Sequence, residues 1–211
     1  MARILITSGP TRQYLDPVRF LSNASSGRMG LAIAVAALKA GHSVIVVSGP
    51  VQVRYPAAAE IIPVETTDEM LRACLAEFPA CDGLIGVAAP CDYKPRRVAA
   101  GKITKTGSPL RLELVETPDI VATLGQRKNR QQWTVGFALE SSDARLRALA
   151  KLEAKHCDLM VVNTPDAINA AESSIEILAP DGQILASASG PKSRLARIVL
   201  QIIGQNLIRL T

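Results

Sequence analysis

The sequence predicts an α/β protein: a three-layer, doubly wound, mostly parallel sheet with a flap excursion and a C-terminal β-hairpin. Three observations carry this expectation. Short apolar runs of strand length alternate with longer segments of helical periodicity from Arg3 to Asn163. The composition is 48% hydrophobic but only 3% aromatic, which suits an aliphatic, alanine-rich core. A long polar loop of small residues separates the first strand from the first helix, the place where doubly wound sheets hold phosphates.

Arg3 to Thr7 reads as a buried strand, and the polar loop follows it. The next helix covers Leu31 to Ala40, with apolar residues at Leu31, Val35 and Leu38 and with Gly41 to end it. Ser43 to Ser48 is a second buried strand closed by Gly49-Pro50, and Ile61 to Val64 is a short third. Thr66 with Glu69 forms a capping-box pattern ahead of Met70, Leu71, Cys74 and Leu75. Asp82-Gly83 turns the chain into a strand over Leu84 to Ala88.

A polar segment over about residues 89–109 then interrupts the alternation and is read as the flap. Leu110, Leu112 and Leu114 return to one face of a strand. Thr117-Pro118 is a cap followed by proline, a favoured helix start. Trp133 to Leu139 is the next strand, roughly Ser142 to His156 the next helix, and Asp158 to Asn163 the last parallel strand. Ile175 to Leu178 and Ile184 to Ala186 form a hairpin around Asp181-Gly182. Pro191 opens a final helix whose apolar face is Leu195, Ile198, Val199, Ile202 and Ile203. Residues 1–211 are read as a single Rossmann-like domain without internal repeats.

The formal charge of +5 suits either simple solubility or an anionic ligand. Nucleic acid is disfavoured, because no dense basic run occurs and the aromatics are too few to stack bases. A membrane is disfavoured because no apolar run is long enough to span one. Cys74, Cys81, Cys91 and Cys157 show neither a C-x-x-C nor a zinc spacing, and His42 and His156 stand apart. With no signal peptide, these are expected to be reduced thiols in the cytoplasm. Cys91 lies in the polar segment, but no His lies near it in sequence to activate it.

The loop reads Thr7-Ser-Gly-Pro-Thr11, Asp16-Pro-Val-Arg19, then Ser22-Asn-Ala-Ser-Ser-Gly-Arg-Met-Gly30. Short side chains at Ser25, Ser26, Gly27 and Gly30 let an anion approach backbone N–H groups. Asn23 adds an amide and Arg19 a fixed positive charge. An NAD(P)-dependent Rossmann-type reductase is the enzymatic alternative. It wants a compact G-x-G-x-x-G and an acidic residue after the second strand, where this chain has Ser48-Gly49-Pro50. Tyr14, Tyr55 and Tyr93 are followed four residues on by Val18, Ala59 and Arg97, so the Tyr-x-x-x-Lys pair of such reductases fails. A P-loop and a nucleophile elbow are both missing. The non-enzymatic alternative is a nucleotide-binding partner without turnover.

Taken in order, the segments resemble phosphopantothenoylcysteine synthetase. The pieces are Ser-Gly-Pro-Thr at 8–11, the loop over 16–30, Ala-Ala-Pro-Cys-Asp-Tyr at 88–93 and Lys-Ile-Thr-Lys at 102–105. Pro-Asp-Ile-Val at 118–121, Gly-Phe-Ala-Leu-Glu at 136–140, Lys151 with Lys155, and Val-Asn at 162–163 follow. The resemblance implies a ligase that joins 4′-phosphopantothenate to L-cysteine with CTP, through an acyl-cytidylate, in coenzyme A synthesis. It implies a homodimer, Mg²⁺ accompanying the triphosphate, and phosphopantothenoylcysteine decarboxylase as a functional partner. No flavin is expected in this chain. Such chemistry needs alignment and cover for negative charge rather than a protein nucleophile.

The resemblance also implies residue roles. Asn23 would hold the acyl-phosphate, and Lys102 would neutralise the triphosphate as pyrophosphate leaves. Arg19 would cross a dimer interface to the neighbour's phosphopantothenate. Ala88, Ala89 and Asp92 would contact the acid. Gly9, Ser25, Gly27 and Gly30 would bind the nucleotide, surrounding its phosphates at the helix start. Gly86, Val87, Ala88, Asp92, Pro118, Asp119, Ile120, Val121, Phe137, Lys151, Lys155 and Asn163 would contact the nucleotide, with Arg147 on the same helical stripe as the two lysines. Thr104, Pro90 and Cys91 depart from the family pattern, and protein ligands for a metal are left unassigned.

Overall fold

Ile4, Leu5 and Ile6 are each fully buried, so strand β1 (Arg3–Ser8) has a packed layer on both faces. The computed structural model describes residues 1–139, 143–163 and 172–208. After β1 the loop folds into a small ribbon of β2 (Arg12–Tyr14) and β3 (Phe20–Ser22). There Arg12 stacks 4.6 Å over the Phe20 ring, and Tyr14 meets it edge-on.

Helix α1 (Arg28–Lys39), β4 (Ser43–Ser48), β5 (Glu60–Pro63) and α2 (Thr67–Glu77) follow. The chain returns through β6 (Gly83–Gly86) to a second ribbon, β7 (Tyr93–Pro95) with β8 (Leu114–Glu116). Then come α3 (Ile120–Arg127), β9 (Trp133–Leu139), α4 (Ala144–Ala154) and β10 (Leu159–Asn163). The hairpin strands β11 (Glu172–Leu178) and β12 (Ile184–Pro191) lead into α5 (Lys192–Asn206).

The main sheet has eight strands in the order β12-β11-β10-β9-β6-β1-β4-β5. Only β11 is reversed, pairing antiparallel with both β10 and β12. Alternation along the central strands divides the core. Ile4, Ile6, Val44, Val46, Ile85 and Val135 pack beneath α1 and α5 through Ile33, Ala37, Leu195, Val199 and Ile203. Leu5, Ile45, Val47 and Leu84 pack beneath α2 and α3 through Met70, Cys74, Ile120 and Leu124. Helix α4 covers Met160 and Val162 with Ala148 and Leu152. The expected three layers are therefore present, with α1 and α5 on one face and α2, α3 and α4 on the other.

Several boundaries differ from the sequence expectation for local reasons. Helix α1 starts at Arg28 rather than Leu31, because Gly27 turns the chain in the left-handed region at φ 73°. Helix α3 is capped by Asp119, whose carboxylate accepts the Ala122 N–H at 3.0 Å, so Thr117-Pro118 lies ahead of the helix instead of opening it. Leu110, Leu112 and Leu114 are exposed. Only Leu114 to Glu116 forms a strand, on a two-stranded ribbon separate from the main sheet. The Thr66–Glu69 capping box is formed as expected. The expected helix start at Ser142 lies outside the described residues, as does Glu140 of the motif at 136–140.

Candidate functional site

The winding direction reverses between β1 and β6: the chain goes outward through β4 and β5, returns, and goes the other way through β9 and β10. Ligands of open α/β sheets bind outside the carboxyl ends of the strands at such a point. Here the two chains continue past their strands as a parallel bridge between Pro10 and Ala89. The Ala89 N–H donates to the Gly9 carbonyl at 2.9 Å. The polar loop and the polar segment after β6 therefore face each other.

A buried polar network fixes this junction. Thr11 and Thr67 share a hydrogen bond at 2.8 Å, and the Gln13 side chain donates to the Thr67 hydroxyl at 2.8 Å. The Cys91 N–H donates to the Thr11 hydroxyl at 2.8 Å, and the Thr117 hydroxyl donates to the Cys91 carbonyl at 2.6 Å. Thr11, Gln13 and Thr67 are all buried, so each bond also satisfies a group that would otherwise cost stability. Burial pushes the Cys91 thiol above its ordinary value. This cysteine belongs to the scaffold.

Two cavities open on either side of the junction. The first, about 400 Å³, lies over the start of α1 and is lined by Gly9, Asn23, Ser25, Gly27 and Gly30 of the loop. Val87, Ala88, Ala89, Phe137 and Asn163 complete much of its wall, with Arg28 and Lys192. The second, about 330 Å³, lies between the segment after β6 and the start of α3. Gly86, Ala88, Asp92, Pro118, Asp119, Ile120, Val121, Phe137 and Lys155 line it. Ala88 and Phe137 belong to both walls, so the cavities share a partition.

Local sequence explains the shape of the first cavity. A Cβ at Gly30 would run into the Ser8 side chain, so α1 approaches the end of β1 this closely only with glycine there. The first turn of α1 carries no acidic residue, and Gly27 offers no side-chain cap. Its N–H groups and the positive end of the helix are left for an anion. The Asn23 amide donates to the carbonyls of Pro90 at 2.9 Å and Ala89 at 3.3 Å, tying the loop to the segment after β6.

Other predicted residues lie elsewhere. Arg19 lines neither cavity. Its guanidinium is held by the fully buried Asp16, with Nη2 at 2.6 Å and Nε at 2.9 Å from one carboxylate oxygen, and it also donates to the Ile103 carbonyl. Burial pushes the Asp16 carboxyl up, but N–H donors from Ile103, Val18 and Arg19 and the Arg19 side chain outweigh it, leaving the group well below the usual carboxylate range. Lys102 is exposed on the flap and outside both linings. Lys151 is exposed one turn before Lys155 and also outside both, whereas Lys155 pairs with Asp119 at 3.0 Å.

A profile of the DNA/pantothenate metabolism flavoprotein C-terminal domain matches residues 1–207. The chain belongs to this family. The chain is 37% identical over 204 residues to the coenzyme A biosynthesis bifunctional protein CoaBC of Vibrio parahaemolyticus, covering 94% of this chain and 51% of that protein. Against the protein of the same name from Bacillus subtilis it is 44% identical over 161 residues, covering 76% and 39%. The chain thus spans about half the length, or less, of the curated relatives it matches.

Among solved structures, a crystal structure of the C-terminal domain of CoaBC superposes with a TM-score of 0.83 at 36% identity, covering 96% of this chain and 94% of that one. A Cab2 variant in complex with phosphopantothenate-cysteine shares the fold, with a TM-score of 0.77 at 17% identity over 97% of this chain and 86% of that one.

Within this family member, sequence reasoning missed Lys192 and the Thr11–Gln13–Thr67 network. Lys192 is half-buried, donates to the Ser173 hydroxyl at 3.1 Å and reaches the first cavity from the far end of the chain. The only local signal was its place just after Pro191, at the start of the last helix. Asn163 was predicted, and its Oδ1 is the buried side-chain oxygen without a hydrogen-bond partner among the described residues. Asn163 lines the first cavity and also a third one beside Asp143 to Leu146. Among the described residues no group of three or more His, Cys, Asp or Glu side chains could hold a metal ion. No helix there is long and apolar enough to cross a membrane.

Proposed function

We propose that this domain joins 4′-phosphopantothenate to L-cysteine using CTP. The observation that carries the proposal is the pair of cavities sharing the Ala88–Phe137 partition, with the Asn23 amide beside it. Two anionic substrates can each occupy one cavity and meet there. The nucleotide is assigned to the second cavity, against Asp119 to Val121 and Lys155. The acid is assigned to the first, with its phosphate towards the start of α1, so Gly9, Ser25, Gly27, Gly30, Val87 and Asn163, expected from the resemblance to contact the nucleotide, are reassigned to the acid because they line that cavity. Family membership and the phosphopantothenate-cysteine complex of the distant Cab2 relative support the choice of substrates.

In this reading the pantothenate carboxylate oxygen attacks the α-phosphorus. A P–O bond forms, the bond to pyrophosphate breaks, and an acyl-cytidylate results. The cysteine amine then attacks the acyl carbon, the C–O bond to CMP breaks, and the amine proton leaves to solvent. Backbone groups of Gly86 to Ala89 and the Asn23 amide align the reacting centre. Lys102 supplies charge for departing pyrophosphate after the flap closes. A magnesium ion accompanying CTP would have to be held chiefly by phosphate oxygens, since the described residues form no ligand cluster, and no step is assigned to it.

A homodimer is part of the proposal. Val18, Phe20, Tyr93 and Val98 are exposed apolar side chains on or beside the two ribbons, next to Arg19, and β2 packs against β7. A second copy covering them would bring Arg19 towards its neighbour's acid site. The reductase alternative gains nothing from the fold. The end of β4 carries no acidic residue, and the Ser48 and Tyr55 hydroxyls share a hydrogen bond there at 3.1 Å.

The test is mass spectrometry of reactions holding phosphopantothenate, cysteine and each triphosphate in turn. The expected products with CTP are phosphopantothenoylcysteine, CMP and pyrophosphate. A folded protein that forms none of them with any triphosphate overturns the reading.

A further inference from the structure

We propose that Lys192, acting with Arg28, recognises the terminal phosphate monoester of the acid substrate and sets the preference for phosphorylated over unphosphorylated acid. The inference deepens the ligase reading and rests on it for the identity of the acid.

Four observations converge. Among the described residues, Arg28 and Lys192 are the charged side chains that line the first cavity, and no Asp or Glu joins them there. They come from opposite ends of the chain, at the first residues of α1 and of α5. Burial first, and then the Arg28 charge, pull the Lys192 ammonium below its ordinary value, so the two cations lie close enough to act on one anion. A phosphate dianion within reach of both forms charge-assisted hydrogen bonds with them. The N–H groups of the first turn of α1 open on the same space without an acidic neighbour or a side-chain cap. Asn163, whose buried Oδ1 has no hydrogen-bond partner among the described residues, lines the same cavity, and a ligand hydroxyl that reached this oxygen would satisfy it.

The donor set is one of full positive charges and backbone amides, matched to a phosphate monoester rather than to a carboxylate alone. Ser173, which accepts from Lys192 at 3.1 Å, orients the ammonium. Lys192 is therefore a binding residue that acts on affinity for the acid and leaves the nucleotide cavity untouched.

The experiment is calorimetric titration of the full chain with 4′-phosphopantothenate, pantothenate, inorganic phosphate and CTP, for wild type, Lys192→Gln, Lys192→Arg and Arg28→Gln. Loss of one charge-assisted contact is expected to weaken 4′-phosphopantothenate and inorganic phosphate about tenfold or more in Lys192→Gln. Lys192→Arg should recover most of that loss, and pantothenate and CTP should bind each protein alike. Arg28 is exposed, so Arg28→Gln tests the pair even if Lys192→Gln does not fold.

Equal binding of 4′-phosphopantothenate by wild type and both Gln variants overturns the inference, as does a parallel loss of CTP. If the ligase reading fails but inorganic phosphate still distinguishes Lys192→Gln from wild type, the anion site stands without it. If product forms and the variants keep the phosphate preference, the ligase reading stands and this inference falls.

Discussion

The Asp16 carboxylate accepts the Ile103 N–H at 3.0 Å, while Arg19, bound to the same carboxylate, donates to the Ile103 carbonyl at 2.5 Å. Both backbone groups of one flap residue are thus gripped by the loop after β1. The grip lies one residue from Lys102. In the proposed reaction this makes Asp16 a positioning residue, because it fixes the backbone at Ile103 and with it the place of the neighbouring Lys102.

Asp16→Asn should keep the fold but loosen this attachment. The expected result is a kcat/KM about tenfold to a hundredfold lower, as expected when a charged group is misplaced by about an ångström, with the loss in kcat exceeding the change in KM for cysteine. Steady-state kinetics with each substrate varied would check it. Unchanged kinetics would remove Asp16 from the flap's control.

The same carboxylate gives acid stability a sign. Its folded value lies below the ordinary 3.8, so its stabilisation is complete above that pH and fades as pH falls through the folded value. Wild type should therefore be more stable than Asp16→Asn at neutral pH, and the gap should shrink below pH 3.8. Urea unfolding of both proteins across that range measures the gap.

Asn23→Asp replaces the donor to the Ala89 and Pro90 carbonyls with a carboxylate that cannot donate to either. Acyl-cytidylate should still form, while its capture by cysteine slows. Pyrophosphate release in the absence of cysteine, compared with product formation in its presence, separates the half-reactions. Equal loss of both would contradict the role given to Asn23.

Gly30→Ala places a methyl group against the Ser8 side chain at the start of α1. The cost should be about 1–3 kcal/mol, as for other overpacked sites, and affinity for the phosphorylated acid should fall with it. Denaturant unfolding and titration with 4′-phosphopantothenate measure the two effects. A variant with wild-type stability and affinity would show that the helix can step back freely.

At the opposite end of the sheet, Asp158 accepts from Lys128 at 2.5 Å and from the Thr134 N–H at 2.7 Å. Asp158→Ala should lower stability by about 1–3 kcal/mol through the orphaned partners and leave every KM close to wild type. Thermal unfolding alongside kinetics checks this control for purely structural loss.

Much of the fold was legible because local patterns encode it. The alternation of Ile4, Leu5 and Ile6, the Thr66–Glu69 cap and the Asp181-Gly182 turn each report a conformation set within a few residues. The end of the loop, residues 23–30, was equally legible as the lining of a cavity, since its small residues determine how closely anything can reach the backbone. The expected strand through Leu110 and Leu112 failed because alternation signals a strand only where one face is covered, and Leu110, Leu112 and Leu114 are all exposed.

The sequence by itself determined the layered α/β class, the order of most elements and the two segments that meet at the site. Tertiary structure alone divided the predicted ligand residues between two cavities, locked Arg19 onto Asp16, buried Thr11 beside Thr67 and carried Lys192 to the start of α1. The physical reason is strand order. Periodicity and capping act over a turn or two of chain, whereas the meeting of residues 28 and 192 depends on which strands become neighbours, and no local pattern specifies that.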